Sequence, residues 1–174
     1  MNDPAPTDTP DAPRSWAVFG LVLAAVAVIL DQASKYYVTE VLLADGMPVK
    51  VTGWLNIILV TNKGISFSLF STDSDAMRWL LTGVALAIAL ILAVWLFRAR
   101  GWFTALALGL VIGGAIGNAI DRIRIGAVID FVDFHIPAWN DWHFATFNVA
   151  DSAISTGVFL LLVAALFGGG ESRR

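Results

Sequence analysis

Apolar residues in this chain gather into four long runs, with short β-branched or aromatic runs between the first two and an apolar-acidic, Trp-rich segment between the last two. The first run extends from Trp16 to Leu30, meets Asp31, and continues as Gln32, Ser34 and Lys35 mixed with Tyr36, Tyr37 and Val38. The second goes from about Met77 to Phe97, the third from Trp102 to about Ile120, and the fourth from about Phe144 to Phe167. A helix needs about 20 apolar residues to cross a hydrocarbon core of about 30 Å, so the pattern predicts four membrane spans. The strictly apolar part of the first run is short enough for a signal-peptide core. No small-residue cleavage pattern follows it cleanly, however, and its amphipathic continuation reaches spanning length, so it is read as a retained helix. Only Arg98, Ala99, Arg100 and Gly101 separate the second and third runs, which makes them an antiparallel hairpin.

Between the first two spans, about Thr39 to Ser74, lie the short β-branched or aromatic runs Val49 to Thr52, Trp54 to Val60 and Phe67 to Phe70, set apart by Gly46, Gly53 and Gly64. Such runs bounded by glycine predict a small sheet lying on the membrane. The segment from about Arg124 to His143 holds an apolar-acidic run, Val128 to His135, and a Trp-rich stretch, Trp139 to His143, and is expected to form a lid or interfacial segment. Residues 1–15, with four prolines and three aspartates, have the composition of a disordered tail, and residues 169–174 form a second short tail. The expected fold is an all-α membrane protein in which residues 16–168 carry four transmembrane helices with a small extracytoplasmic β-sheet subdomain.

Composition supports this and removes other classes. With 57% hydrophobic and 14% charged residues among 174, the chain is too apolar for a soluble domain of its size. A net charge of -3 gives no basic surface for a phosphate backbone, so nucleic-acid binding is excluded. Cysteine is absent, which excludes disulfides, thiolate catalysis and Cys-ligated metals. Arg14, Arg98, Arg100, Arg173 and Arg174 fall on one side of a four-span arrangement, which predicts cytoplasmic termini. Trp16, Trp95 and Trp102 sort to that inner interface, and Trp54, Trp79, Trp139 and Trp142 to the outer one, as two aromatic belts require.

Charge beside a bilayer is costly and is rarely kept without a partner or a task, which draws attention to Asp31, Asn118, Asp121 and Asp151. At 1.5 Å per residue, Asp31 stands roughly 23 Å from Trp16, Asn118 roughly 26 Å from Gly101, and Asp151 roughly 26 Å from Gly168. Three helices thus bring polar groups to one depth near the outer boundary. Asp31 with Lys35, Asn118 with Asp121 and Arg122, and Asn148 with Asp151 share helix faces at three- or four-residue spacing. Gly113, Gly114, Ala115 and Gly117 leave the preceding turn nearly free of side chains, a surface that a neighbouring helix or a substrate helix could approach closely. The bland reading is a set of interfacial ion pairs, Asp31 with Lys35 and Asp121 with Arg122. Asp130, Asp133 and Asp151 lack an obvious basic partner each, and carboxylates brought close together must share protons. That sets a general base beside a general acid.

These blocks resemble the lipoprotein signal peptidases, or signal peptidase II, a family of membrane aspartyl peptidases. The resemblance covers about residues 16 to 168 and rests on Asp31-Gln32-Ala33-Ser34-Lys35, Asn62-Lys63-Gly64-Ile65-Ser66-Phe67, Gly113 to Asn118 running on to Asp121-Arg122, Val128-Ile129-Asp130-Phe131, and Phe147-Asn148-Val149-Ala150-Asp151. Ser66 departs from the alanine that the family often has there. The resemblance implies a catalytic pair, Asp130 and Asp151. Asp121 is the rival for the first place; Asp130 is preferred because its neighbours Val128, Ile129 and Phe131 are apolar and would raise its pKa. Asp31, Lys35, Asn62, Gly64, Asn118, Asp121, Arg122, Asn148 and Ala150 would then shape the site. The implied substrate is a prolipoprotein cut just before a diacylglyceryl-modified cysteine, at the outer leaflet of the bacterial inner membrane, by a monomer in contact with membrane lipid, with no metal or organic cofactor.

Other readings compete. Ser34 with Lys35, or Ser66 with Lys63, could form a serine-lysine dyad, although adjacent residues point to different helix faces. His135 and His143 with Asp130, Asp133 or Asp141 could hold zinc, but no HExxH spacing exists. A small proton-coupled channel or carrier would use the acids as a pathway, yet the inner two-thirds of the spans lacks ionisable residues.

Overall fold

The computed structural model describes residues 14–64, 75–139 and 142–167. Four helices form the frame: α1 (Arg14–Tyr37), α2 (Asp75–Leu96), α3 (Trp102–Ile125) and α4 (Val149–Phe167). Each is long and apolar enough to cross a membrane. The expected strand over 67–70 and both tails, apart from the first turn of α1, lie outside the described residues.

The centre of the bundle is α3, flanked by α1, α2 and α4. Its apolar surface is largely covered by its neighbours, whereas α2 and α4 leave most of theirs for lipid. Small residues make this possible. A Cβ on Gly113 would stand 2.6 Å from the Ala24 carbonyl oxygen of α1, and one on Gly114 would run into the Ala150 carbonyl oxygen of α4. Contacts this close are dispersion packing without side chains between backbones, the means by which helices associate where lipid removes the hydrophobic drive. The bare surface expected on α3 is therefore occupied by α1 and α4 themselves. At the other end of the hairpin, Leu96 is fully buried and packs with Ala17, Ala105, Leu108 and Ile112.

A four-stranded antiparallel sheet sits at the end of the bundle where the polar residues gather: β1 (Val49–Lys50), β2 (Leu55–Asn62), β3 (Val128–Ile136) and β4 (Trp142–His143), in that order. Here the structure departs from the pattern. Val128 to Ile136, expected as a lid or interfacial segment, is the sheet's long third strand, paired with β2 from Leu55↔Phe134 to Asn62↔Val128. The strand shows no simple alternation, because Asp130 and Phe131 are buried in succession and Asp133 is buried three residues after Asp130. The fourth helix starts at Val149 rather than about Phe144, because Phe147 bridges to Val132 and Phe144 N–H donates to the Phe134 carbonyl. The third helix runs on to Ile125, where Gly126 adopts a left-handed conformation (φ 82°) and Arg78 of α2 donates to the Arg122 and Ile123 carbonyls, closing the last turn. β3 therefore begins directly over the polar end of α3, and its middle, at Phe131 and Val132, is tied to Phe147 just before α4.

Candidate functional site

Lys35 is the hub of the polar layer. Its ammonium group lies 2.8 Å from Asp31 Oδ2 and 2.7 Å from Asp121 Oδ2, and donates to Asn118 Oδ1 at 3.1 Å. Three donors meet three acceptors, and one cation stands between two carboxylates. Gln32 Nε2 reinforces this by donating to Asp31 Oδ2, Asp121 Oδ1 and the Gly117 carbonyl. The second oxygen of Asp31 accepts the Ala150 N–H at 2.9 Å, and Asp121 Oδ2 accepts the Ile129 N–H. In this way α1 and α3 together fix the first turn of α4 and the first residues of β3.

The ion pairs differ from the bland expectation in one respect. Asp31 does pair with Lys35, but the salt bridge of Asp121 is with Lys35 on another helix rather than with Arg122. Residues i and i+1 face apart on a helix, so Arg122 turns elsewhere, donating to the Gly64 carbonyl at 3.0 Å. Its Nε is buried with no hydrogen-bond partner among the described residues.

Asn148 and Asp151 form a reciprocal cap at the start of α4. Asn148 Oδ1 accepts the Asp151 N–H at 2.8 Å, and Asp151 Oδ2 accepts the Asn148 N–H at 3.3 Å. An amide at the cap position and an acid three residues on satisfy two orphan donors of the first turn, with Asp in the place usual for Glu. The cap leaves one carboxylate oxygen of Asp151 to accept from Asn118 Nδ2 at 2.8 Å. Asp151 remains half-buried, its side chain on two grooves.

Asp130 approaches from β3, 2% exposed. Its Oδ1 accepts from Asn148 Nδ2 at 2.7 Å and its Oδ2 from Asn62 Nδ2 at 3.1 Å. Asn62 is itself oriented by accepting the Gly64 N–H. One buried amide, Asn148, thus touches both acids. Burial first, and then the nearby charge of Asp151, push the Asp130 carboxyl up to about 6, against the opposing hydrogen bonds of Asn62 and Asn148 and the charge of Lys35.

All the sequence-predicted site residues converge: Asp31, Lys35, Asn62, Gly64, Asn118, Asp121, Arg122, Asp130, Asn148, Ala150 and Asp151 form one connected network. Asp133, expected to lack a basic partner, has one in His143, whose Nδ1 lies 2.8 Å from Asp133 Oδ1, and it also accepts from Asn56 Nδ2. Of the zinc arrangement, Asp141 lies outside the described residues; the His135 and His143 rings stack on each other, and among the described residues no three His, Asp or Glu side chains gather as a metal-holding set. Ser34 donates to the Asp31 carbonyl instead of facing its neighbour Lys35, while Ser66 lies outside the described residues. Three participants escaped the sequence reading. Gln32 was visible only as part of a motif, because the four-residue face rule skips it; Asn56 and Arg78 carry no local signal.

Among the cavities that border this network, two meet the acid pair from different sides. One, about 390 Å³, runs between α2, α3 and α4 along Leu81, Val84, Ile88 and Val111 to Asn118, Arg122 and Asp151. The other, about 590 Å³, lies over the sheet and is lined by Asn62, Lys63, Asp130, Asp133, His143 and Thr146, among others. An apolar groove thus meets a polar one at two acids.

Residues 23–167 match the family model described as signal peptidase (SPase) II. The chain is 44% identical over 149 residues to the lipoprotein signal peptidase of Methylobacterium sp. (strain 4-46), covering 84% of this chain and 87% of the relative. It is 45% identical over 145 residues to the lipoprotein signal peptidase of Coxiella burnetii (strain Dugway 5J108-111), covering 82% and 86%. Among solved structures, a bacterial membrane enzyme determined by the in meso method at 2.3 Å resolution superposes with a TM-score of 0.75 at 27% identity, over 90% of this chain and 93% of that one.

Proposed function

The chain belongs to the signal peptidase II family, and on that footing we propose that Asp130 and Asp151 are the carboxylate pair with which it hydrolyses its peptide bond. The protein is a multi-pass membrane protease that removes the signal peptide from prolipoproteins. What supports the residue assignment is the contrast in what neutralises each acid. Asp31 and Asp121 share the Lys35 cation, whereas Asp130 accepts from two carboxamides and Asp151 from a carboxamide and a backbone N–H. Amide donors orient a carboxylate without cancelling its charge, while burial and the nearby charge of Asp151 hold the Asp130 carboxyl up at about 6, so Asp130 is the member suited to carry the proton.

The ionised member takes a proton from water as the water oxygen attacks the scissile carbonyl, and the protonated member donates to the carbonyl oxygen. Collapse of the tetrahedral intermediate returns the hydroxyl proton to the second acid as the C=O re-forms, breaks the C–N bond and places the proton held by the first acid on the leaving amine. Each carboxyl ends in the protonation state in which it began. Asn148, bonded to both acids, fixes their relative position. The groove between α2, α3 and α4 opens sideways toward lipid and is lined by apolar side chains, which suits an apolar signal helix and acyl chains on the cysteine. In our reading both termini are cytoplasmic, the site lies at the outer leaflet of the inner membrane, residues 16–168 are the catalytic domain, and the enzyme acts as a monomer.

Asp130→Asn and Asp151→Asn, made separately in purified protein, should each fold and bind a lipidated precursor yet lose at least about 10³-fold in cleavage rate. Ser34→Ala should keep turnover. Preserved cleavage in either Asn variant removes the proposed pair.

A further inference from the structure

Asp133 and His143 are absorbed by neither the ion-paired hub nor the acid pair, yet both line the cavity onto which Asp130 opens. Asp133 lies on β3 three residues past Asp130 and is 2% exposed. A strand normally turns residues three apart to opposite faces. Here β2 carries one residue more than β3 between the pairs Ile57↔Val132 and Val60↔Asp130, and both acids line one cavity. Such a bulge sharpens strand twist and re-aims side chains.

His143 belongs to β4, a two-residue strand that among the described residues pairs with the end of β3 through His135↔His143 and Ile136↔Trp142. From there residues 144–147 run back along β3 to Asn148, held by Phe144 N–H to the Phe134 carbonyl and by the Phe147 exchange with Val132. Two strand pairs are a weak anchor for a segment whose next residues cap α4 and carry Asp151. The side chains supply the rest: His143 Nδ1 meets Asp133 Oδ1 at 2.8 Å, Asn56 Nδ2 of β2 holds the other oxygen at 2.9 Å and also reaches His135 Nδ1, and the two imidazoles stack 5.3 Å apart. Three strands are joined at one carboxylate. The groups facing it are His143 from β4, His135 from β3 and Asn56 from β2, and Lys63 beyond β2 and Asp130 on β3 line the same cavity. Burial favours the neutral acid, but the His143 and Asn56 hydrogen bonds and the two histidines outweigh it and hold Asp133 below the usual carboxylate value. A charge-assisted hydrogen bond to an ionised acid is stronger and shorter than a neutral one.

We propose that Asp133 and His143 are a positioning pair for cleavage: they clamp segment 142–147 against β3 and so set the wall of the polar cavity that receives the chain following the scissile bond. The proposal rests on Asp130 and Asp151 being the acid pair, for only then does this cavity lie on the far side of the bond from the apolar groove. The chain after a lipid-bearing cysteine is the part of the substrate that returns to water, and polar residues, Thr61, Asn62, Lys63 and Thr146 among them, line the cavity that would receive it. His143 keeps about half of its side chain exposed, so its replacement leaves the helical frame intact.

The test is steady-state cleavage of a lipidated precursor peptide by full-length protein carrying His143→Ala, Asp133→Asn or both, with His143→Gln as the conservative variant. The expected result is a KM raised roughly tenfold with kcat changed less than about threefold, a double variant no worse than the worse single one, and partial recovery in His143→Gln, whose amide can still donate to Asp133. Additive effects of the two single changes, or a fall in kcat with KM intact, overturn the clamp. Should Asp133→Asn fail to fold, His143→Ala against His143→Gln decides by the same KM reading. The two failures stay apart: turnover surviving in Asp130→Asn removes the acid pair, whereas an unchanged KM in His143→Ala removes only the clamp.

Discussion

Two groups of aspartates stand within one hydrogen-bonded network and differ in what balances them. At the junction of α1 and α3, Asp31 and Asp121 share the Lys35 ammonium, and all three are nearly inaccessible to water. At the junction of β3 and α4, Asp130 and Asp151 are bound by amides and open onto cavities. The same side chain therefore serves as a structural pin where a cation bonds to it directly and as a reactive group where, among the described residues, its hydrogen bonds come from amides. Proximity to the site does not distinguish them, since Ala150 N–H on Asp31 lies next in sequence to Asp151 itself.

The largest expected effect breaks the first group. Lys35→Met removes the only cation bonded to both Asp31 and Asp121 among the described residues and leaves two carboxylates buried. Breaking a buried pair by deleting one partner costs about 3–5 kcal/mol. Thermal unfolding in detergent should show a drop of that size, partly recovered by Asp121→Asn in the Lys35→Met background. The contrast fails if Lys35→Met unfolds at the wild-type temperature.

A smaller effect separates the groups by moving one helix. Gly114→Ala places a methyl group against the Ala150 carbonyl oxygen and 2.7 Å from Ile154 Cγ1, so α4 must shift outward. Overpacking of this kind costs about 1–3 kcal/mol. It also stretches the Asn118 to Asp151 hydrogen bond across the same interface, while the Lys35 hub on the α1 side stays in place. Cleavage rate should fall more than stability, and equal loss of both would show that the acid pair is no more sensitive to α4 than the frame is.

Much of this contrast was legible in the chain and part of it was not, for a physical reason. Helical periodicity places Asp31 over Lys35 and Asn148 beside Asp151 because the faces repeat every three to four residues, and equal distances from the helix ends bring three helices to one depth. The partner of Asp121 was misread because adjacency in sequence was taken for adjacency in space, and on a helix Arg122 faces away. β3 was missed because its inward positions carry Asp130 and Asp133, acids where a buried strand usually has aliphatic residues, and polarity was read as loop. Asn56 and Arg78 act across 77 and 44 residues of sequence, respectively, and long-range pairing leaves no local pattern.

The smallest effect sharpens the contrast through pH. The Asp130 carboxyl is raised from 3.8 to about 6 in the folded protein, so between those values the folded state holds a proton that the unfolded chain releases. Linkage then requires stability to fall as pH rises from about 4 to about 6 and to level off above, the opposite of an acid held by a cation. The contribution is on the order of 1 kcal/mol once solvent access to the groove is allowed for. Other groups titrate over the same range, so the measurement is the difference between melts of wild type and Asp130→Asn across pH 4 to 7. That difference should slope through this window and flatten beyond it. In Asp151→Asn the repelling charge is gone, leaving burial alone to raise Asp130, and the sloping window should shrink from its upper end. A difference curve that is flat, or that rises with pH, would place Asp130 among the cation-balanced acids and erase the distinction between the two groups.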